Sequence, residues 1–387
     1  MDNLEVLVNR HLSGQILFEN NEYIYNYKTQ DKRNFVSLIM PVREKSYIHY
    51  KLHPIFEMHL PEGYLLSVIK KHLAKIMKLD DFGLLKAMAP AVNARVTYSN
   101  TQKIENKITL NELIHPNNKN LFNELVTKFA LDSALSGVQP KVLAKVEDKA
   151  TLNCKEYIVK SWGDDYKELA LNEYYCMKIV QGANIPVPDF FISDDERLFI
   201  MKRFDILNNG KCLGFEDMCV LLARQRDDKY EGTYEQIAKV IKTFVTAKYK
   251  KSALKVFFKM IVINNLIQNG DAHLKNFGLI YEDIDNINLA PAYDVVCTSV
   301  YIEHDIPALH LLGSKKWQNK QHLLRFGIES CELTVKEVNI NFQQCVDSIM
   351  LVANKISVRI KKESDKDKLD VLTKLHCIFM GTAIQKK

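Results

Sequence analysis

From the first residue to about residue 55, apolar and polar positions alternate, as in Leu4-Glu5-Val6-Leu7-Val8-Asn9 and Ile16-Leu17-Phe18. A period of two puts every second side chain on one face, so this part is predicted to be a small antiparallel sheet. Helical periodicity follows over Leu65–Met77 and over Leu84–Met88. The stretch 100–120 is rich in Asn, Lys and Thr, includes His115-Pro116-Asn117-Asn118, and is the best linker candidate. From 121 to about 205, strands are predicted to alternate with one helix. From 216 onward helices dominate, interrupted by a polar loop and by short strands around Phe277–Ile280 and Ile287–Leu289. The longest apolar run, Val256 to Ile267, is broken by Lys259 and two asparagines. It falls short of the roughly 18–20 apolar residues of a membrane span and reads as a buried core helix. The charged run 361–368 reads as a surface loop between helices, and no internal repeat is found.

Directly after that apolar run stands Asn269-Gly270-Asp271-Ala272-His273-Leu274-Lys275-Asn276-Phe277-Gly278. A carboxylate, an imidazole, an ammonium and an amide thus crowd into positions 271–276, a density that packing does not call for. Taken singly, an Asp or Asn here would be read as a cap or turn residue. The ordered set says more. An Asp followed five residues later by an Asn is the spacing of the protein-kinase catalytic loop, where the Asp accepts the substrate hydroxyl's proton and the Asn holds Mg²⁺. A second carboxylate, Asp294 in Tyr293-Asp294, follows a short strand-like run. Asp271 is therefore the candidate base, and Asn276 and Asp294 are the candidate Mg²⁺ ligands. His273 and Lys275 either contact the γ-phosphate or stabilise the loop; the spacing leaves both roles open.

Upstream lies material for a phosphate site. Ser136-Gly137-Val138-Gln139-Pro140-Lys141 is a short turn entering a strand, able to offer backbone N–H groups to phosphate oxygens. It is neither a Walker A loop nor a G-x-G-x-x-G motif. The β-branched run Tyr157-Ile158-Val159-Lys160 ends in an ammonium suited to the α- and β-phosphates, and Glu173 lies on a following helical stretch as its orienting acid. The apolar strand 198–201 runs into Lys202, Arg203 and Phe204 where a hinge between two lobes would lie. These three, with Tyr293, complete the candidate ATP-binding set.

Together these segments resemble the HipA family of serine/threonine kinases, the toxin halves of bacterial toxin–antitoxin pairs. The matching pieces are S-G-V-Q-P-K at 136–141, I-V-K ending at Lys160, N-E-Y-Y-C at 172–176, M-K-R-F-D at 201–205, E-D-M-C at 216–219, N-G-D-A-H-L-K-N-F-G at 269–278 and L-A-P-A-Y-D-V-V at 289–296. Further amino-terminal matches are S-L-I-M-P at 37–41, L-P-E-G at 60–63 and D-D-F-G-L-L at 80–85. The chain departs from the family at Ala134, where a serine is usual, and at Lys202, where the hinge residue is usually acidic. The resemblance implies an α+β fold: a small β-rich amino-terminal domain (1–105), a kinase amino-terminal lobe of α/β type (106–205) and a mainly helical lobe carrying the catalytic loop (206–387). It implies ATP and Mg²⁺ as cofactors and a protein substrate, an aminoacyl-tRNA synthetase or another translation factor. It also implies a helix-turn-helix antitoxin, through which alone DNA would be contacted, and autophosphorylation of the nucleotide loop, here at Ser136.

Composition is compatible with this picture. Hydrophobic residues make up 47% and charged residues 26% of 387 positions, ordinary for a globular chain of two or three domains. The net charge of +6 is too small and too dispersed to announce a nucleic-acid-binding face. Lys70–Lys75 and Lys248–Lys251 are basic but read as solvated helix faces. Eight cysteines show no C-x-x-C spacing, so reduced thiols and a cytoplasmic location are expected, with no membrane partner. Two rival functions fit part of the pattern: a pseudokinase acting as corepressor, and a small-molecule kinase of the aminoglycoside-phosphotransferase kind. Intact Asp271, Asn276, Asp294 and Lys160 oppose the first; the 136–141 loop and the extra amino-terminal domain oppose the second.

Overall fold

The computed structural model describes residues 2–60, 66, 80–99, 109–117, 121, 124, 150–153, 157–163, 166–207 and 209–385. The alternating amino-terminal segment is a five-stranded antiparallel sheet in the order β4-β3-β2-β1-β5. Its strands are β1 (Asp2–Val8), β2 (His11–Glu19), β3 (Glu22–Tyr27), β4 (Tyr47–His49) and β5 (Val96–Tyr98). The two hairpins turn on Asn9-Arg10 and Asn20-Asn21, all four at positive φ. Paired left-handed residues make the turn that matches the strands' right-handed twist, and Asn tolerates that region best after Gly. Leu4, Val6, Val8, Ile16 and Tyr25 pack on Phe56 of α1 (Pro54–Glu57) and on Phe82, Leu84 and Leu85 of α2 (Asp81–Met88). The predicted helix Leu65–Met77 lies outside the described residues, apart from residue 66. Within the linker candidate, α3 (Leu110–Ile114) starts at a Thr109/Glu112 capping box, buries Leu113, and accepts from Asp194 N at Ile114 O, 2.8 Å.

A second sheet, β6-β7-β9-β8, comprises β6 (Ala150–Asn153), β7 (Tyr157–Ser161), β8 (Phe190–Ile192) and β9 (Phe199–Lys202), with α4 (Leu169–Gly182) against it. The remainder is mainly helical, as its periodicity predicts: α5 (Met218–Leu221), α6 (Tyr234–Phe244), α7 (Ala247–Leu266), α8 (Lys320–Glu329), α9 (Val335–Ile360) and α10 (Lys366–Gln385). The charged run 361–368 covers the turn between α9 and α10 and the first residues of α10. Helix α7 is the buried core helix; its Lys259 is buried too, donates to Gln344 Oε1 at 3.1 Å, and has its pKa lowered by that burial.

A third, small sheet, β10-β11-β12, runs through β10 (Gly214–Asp217), β11 (Gly278–Tyr281) and β12 (Ile287–Leu289). It adjoins the polar loop 269–276, and Gly278 is required there: a Cβ would stand 2.5 Å from the Phe215 ring and 2.9 Å from Glu216 O. The amino-terminal domain grips this sheet. The buried Glu216 carboxylate accepts from Ser37 Oγ (2.6 Å), Leu38 N (2.8 Å) and Tyr281 Oη (2.5 Å). Burial pushes its pKa up against those three donors, and they are what allow a carboxylate to sit there at all. A second grip is at Arg226, whose N–H donates to Glu57 (2.7 Å) and whose guanidinium donates to Asp81 (2.9 Å).

Candidate active site

Helix α7 delivers the chain to the loop through Gln268 at φ +56°, and β11 takes it away. Between them a ladder of amides fixes Asp271. Asn264 Oδ1 accepts from Asn269 Nδ2 at 3.0 Å, and Asn269 Oδ1 accepts from Asp271 N at 3.1 Å. Thr298 Oγ accepts from Gly270 N at 2.5 Å and donates to Asp305. The Asp305 carboxylate lies so close over Gly270 that a Cβ would meet it at 2.3 Å, and any larger residue would have to push that carboxylate aside. Burial, helped by the Asp271 charge and opposed by the Thr298 bond, pushes the Asp305 carboxyl above its usual range. Asp271 keeps about a third of its side chain exposed (34%) and accepts a hydrogen bond from Tyr230 Oη at 2.7 Å. The base candidate is therefore held by its backbone and reachable at its carboxylate.

Beside it, the predicted phosphate and metal residues meet. Lys160 Nζ is 2.5 Å from Glu173 Oε1 and 2.7 Å from Asp294 Oδ1, with the lysine and Glu173 buried. Asn276 Nδ2 donates to Asp294 Oδ2 at 2.7 Å, while Asn276 Oδ1 accepts from His273 N at 2.9 Å. Four residues from β7, α4, the catalytic loop and the segment after β12 thus form one connected chain. At such distances in a poorly solvated site an ion pair is far stronger than on the surface, and only opposed, hydrogen-bonded charges are tolerated. Glu173 is aimed by its neighbour: Asn172 accepts from Cys297 N and donates to Cys297 O, both at 2.9 Å. That bracket ties α4 to the irregular segment after β12 that carries Asp294, which itself sits at φ +55°.

The donor set suits a hard divalent cation. Asp294 supplies carboxylate oxygens, and the Asn276 amide oxygen has a second lone pair beyond the one taken by His273 N–H. Among the described residues no cluster of three or more His, Cys, Asp or Glu offers a different metal site.

The remaining predicted residues divide. His273 is buried, with its ring edge-on to Tyr230 at 5.0 Å and its Nε2 3.9 Å from Asp271. Lys275 Nζ lies 4.0 Å from Asp217, the buried residue that also caps α5 by accepting from Val220 N at 3.0 Å. Tyr293 donates to Lys275 O at 2.8 Å and stacks on Phe204 at 5.5 Å, so the hinge aromatic and the residue before Asp294 do come together. Arg203 is committed away from them, paired with Asp205 and donating to Asn93 O at 2.7 Å. Lys202 donates its N–H to Asp189 O at 2.8 Å. The loop Ser136–Lys141 lies outside the described residues. Tyr230, Asn172, Asn269 and Asp305 are site residues that sequence reasoning did not single out; Asn172 and Asn269 lie inside segments already quoted, whereas nothing marks Tyr230 or Asp305.

The chain matches the HipA N-terminal domain family over residues 4–98 and the HipA-like C-terminal domain family over residues 133–353. A Sinorhizobium fredii protein named "Putative kinase Y4dM" is 31% identical over 211 residues, 48% of this chain and 50% of the relative. A Haemophilus influenzae protein named "Putative kinase" is 29% identical over 187 residues, 44% of this chain and 54% of the relative. The chain thus spans about half the length of the curated relatives it matches. A chain of the Shewanella oneidensis MR-1 complex of HipA, HipB and operator DNA superposes with a TM-score of 0.72, covering 99% of this chain and 97% of that one at 15% identity. That likeness is one of fold. No helix among the described residues is long and apolar enough to cross a membrane.

Proposed function

The chain belongs to the HipA family, and on that premise we propose that it is an ATP-dependent serine/threonine protein kinase. The observation that carries this is the connected chain Glu173–Lys160–Asp294–Asn276, set beside an accessible Asp271. Lys160, aimed by Glu173, holds the α- and β-phosphates, and the family resemblance assigns the stretch 136–141 to binding the same phosphates. Asn276 and Asp294 hold Mg²⁺, which when bound offsets negative charge on the phosphate oxygens. Asp271 accepts the proton of a serine or threonine hydroxyl, whose oxygen bonds to the γ-phosphorus as ADP leaves. His273, packed and backbone-tethered, stabilises the loop. Lys275 counters the Asp217 charge and stands on the γ-phosphate side. Phe204 and Tyr293 line the base end of the nucleotide site.

By the same reading the chain is the growth-arresting toxin of a toxin–antitoxin pair. Its likeness in fold to the Shewanella complex supports a helix-turn-helix antitoxin as partner and contact with DNA through that partner. The substrate class that the family resemblance favours is an aminoacyl-tRNA synthetase or another translation factor, in the cytoplasm. Ser136 is its autophosphorylation site: a phosphate there adds about two negative charges, which the nucleotide's own phosphates repel. Incubating the chain with γ-labelled Mg·ATP and lysate tests the reading. Label in protein phosphoserine or phosphothreonine is expected; label in small molecules alone, or no transfer, overturns it.

A further inference from the structure

Tyr230 is exposed over 44% of its surface, yet its hydroxyl is spent on Asp271 Oδ1 at 2.7 Å. An aromatic ring that stays so wet gains little by packing, so burial does not explain its position. The segment around it does. Arg226 pins one end to Glu57 and Asp81 of the amino-terminal domain. Leu274 N donates to Lys229 O at 3.1 Å, drawing the segment onto the catalytic loop. Beyond it, Arg224 donates to Glu231 O, and His310 N donates to Gly232 O at 3.2 Å. The ring meets His273 edge-on at 5.0 Å, which sets the direction of the hydroxyl. Three separate parts of the molecule therefore hold a hydroxyl donor at the carboxylate that we assign as the base.

We propose that Tyr230 is the gate of the acceptor position: its hydroxyl takes the place at Asp271 that a substrate hydroxyl must occupy. The proposal rests on the kinase reading and deepens it. Water meets the same gate as the substrate. A water molecule reaching Asp271 would be activated as a protein hydroxyl is, and ATP would be hydrolysed to no purpose. A protein acceptor brings enough further contact to swing the exposed phenol out to solvent, which costs little packing. Water brings none. Tyr230 is thus a specificity-determining residue, favouring large acceptors over solvent.

The test uses the full chain, Tyr230→Phe, fluorescent ATP analogue for binding and Mg·ATP for turnover without added acceptor. Removing a hydrogen bond to a charged group at a half-exposed site should raise hydrolysis by about threefold to tenfold. Analogue affinity should be unchanged, and adding Asp271→Asn to the variant should abolish the gain. Hydrolysis that depends on Asp271 but is equal or lower in Tyr230→Phe overturns the gate alone. Absence of any Asp271-dependent ATP turnover in both proteins, with lysate added as acceptor as well as without it, overturns the kinase reading and the gate with it.

Discussion

The two sides of the site are built on opposite principles. On the side we assign to the nucleotide, Lys160 and Glu173 are buried, and the ammonium is shared between two carboxylates at 2.5 and 2.7 Å. On the acceptor side, Asp271 and Tyr230 are part-exposed and joined by one hydrogen bond. Charges of the first kind are strongly coupled and cannot be removed singly without leaving an uncompensated ion; contacts of the second kind exchange with solvent at small cost. The nucleotide is the same in every turnover, while the acceptor is a surface that arrives and leaves. Rigidity belongs where the ligand is constant.

This contrast can be broken in order of decreasing effect. Glu173→Ala should destabilise the chain by about 2–4 kcal/mol, because Lys160 then keeps, among the described residues, Asp294 alone as its acidic partner in a buried site. Tyr230→Phe, measured in the same denaturation series, removes one part-exposed hydrogen bond and should move stability by no more than about 1 kcal/mol. Equal effects would erase the distinction. Ser37→Ala comes next. It withdraws one of three donors from buried Glu216 and should cost about 1–2 kcal/mol, read as earlier loss of amino-terminal packing in hydrogen exchange. Protection that is unchanged around residues 35–40 would show that the clasp does not hold the domain.

The smallest effect concerns pH. Burial raises the Glu57 pKa from 4.5 to about 7, against its contacts with Arg226. A carboxyl whose folded pKa is raised favours the fold in its protonated form. Its contribution is complete below about pH 4.5 and is lost as pH climbs through about 7. Glu57→Gln should therefore flatten the fall in stability across that window. A slope identical to that of the wild type would place the titration elsewhere.

Much of this was legible in the sequence, for identifiable reasons. Alternation at period two gave away the amino-terminal sheet, and Asn pairs mark its hairpins because their backbone needs positive φ. Asp271, Asn276 and Asp294 stood out by spacing, since a loop of fixed length must place base and metal ligands around one phosphate. Lys160 and Glu173 followed, and they meet as expected. Contacts set only by tertiary approach were hidden. Ser37 and Glu216 touch across 179 positions, and Tyr230 reaches Asp271 across 41, with no local pattern to mark either. Arg203 shows the converse: a hinge position drew attention to a side chain that instead pairs with Asp205 two residues on.

We assign the acceptor's proton to Asp271 and the nucleotide's metal to Asp294. A single-turnover assay of Asp271→Asn beside Asp294→Asn, with Mg·ATP affinity measured on the same samples, tests this assignment most directly. Asp271→Asn is expected to bind Mg·ATP like the wild type but to transfer phosphate about a thousandfold more slowly, whereas Asp294→Asn is expected to lose affinity. Transfer by Asp271→Asn at a rate near that of the wild type would contradict it.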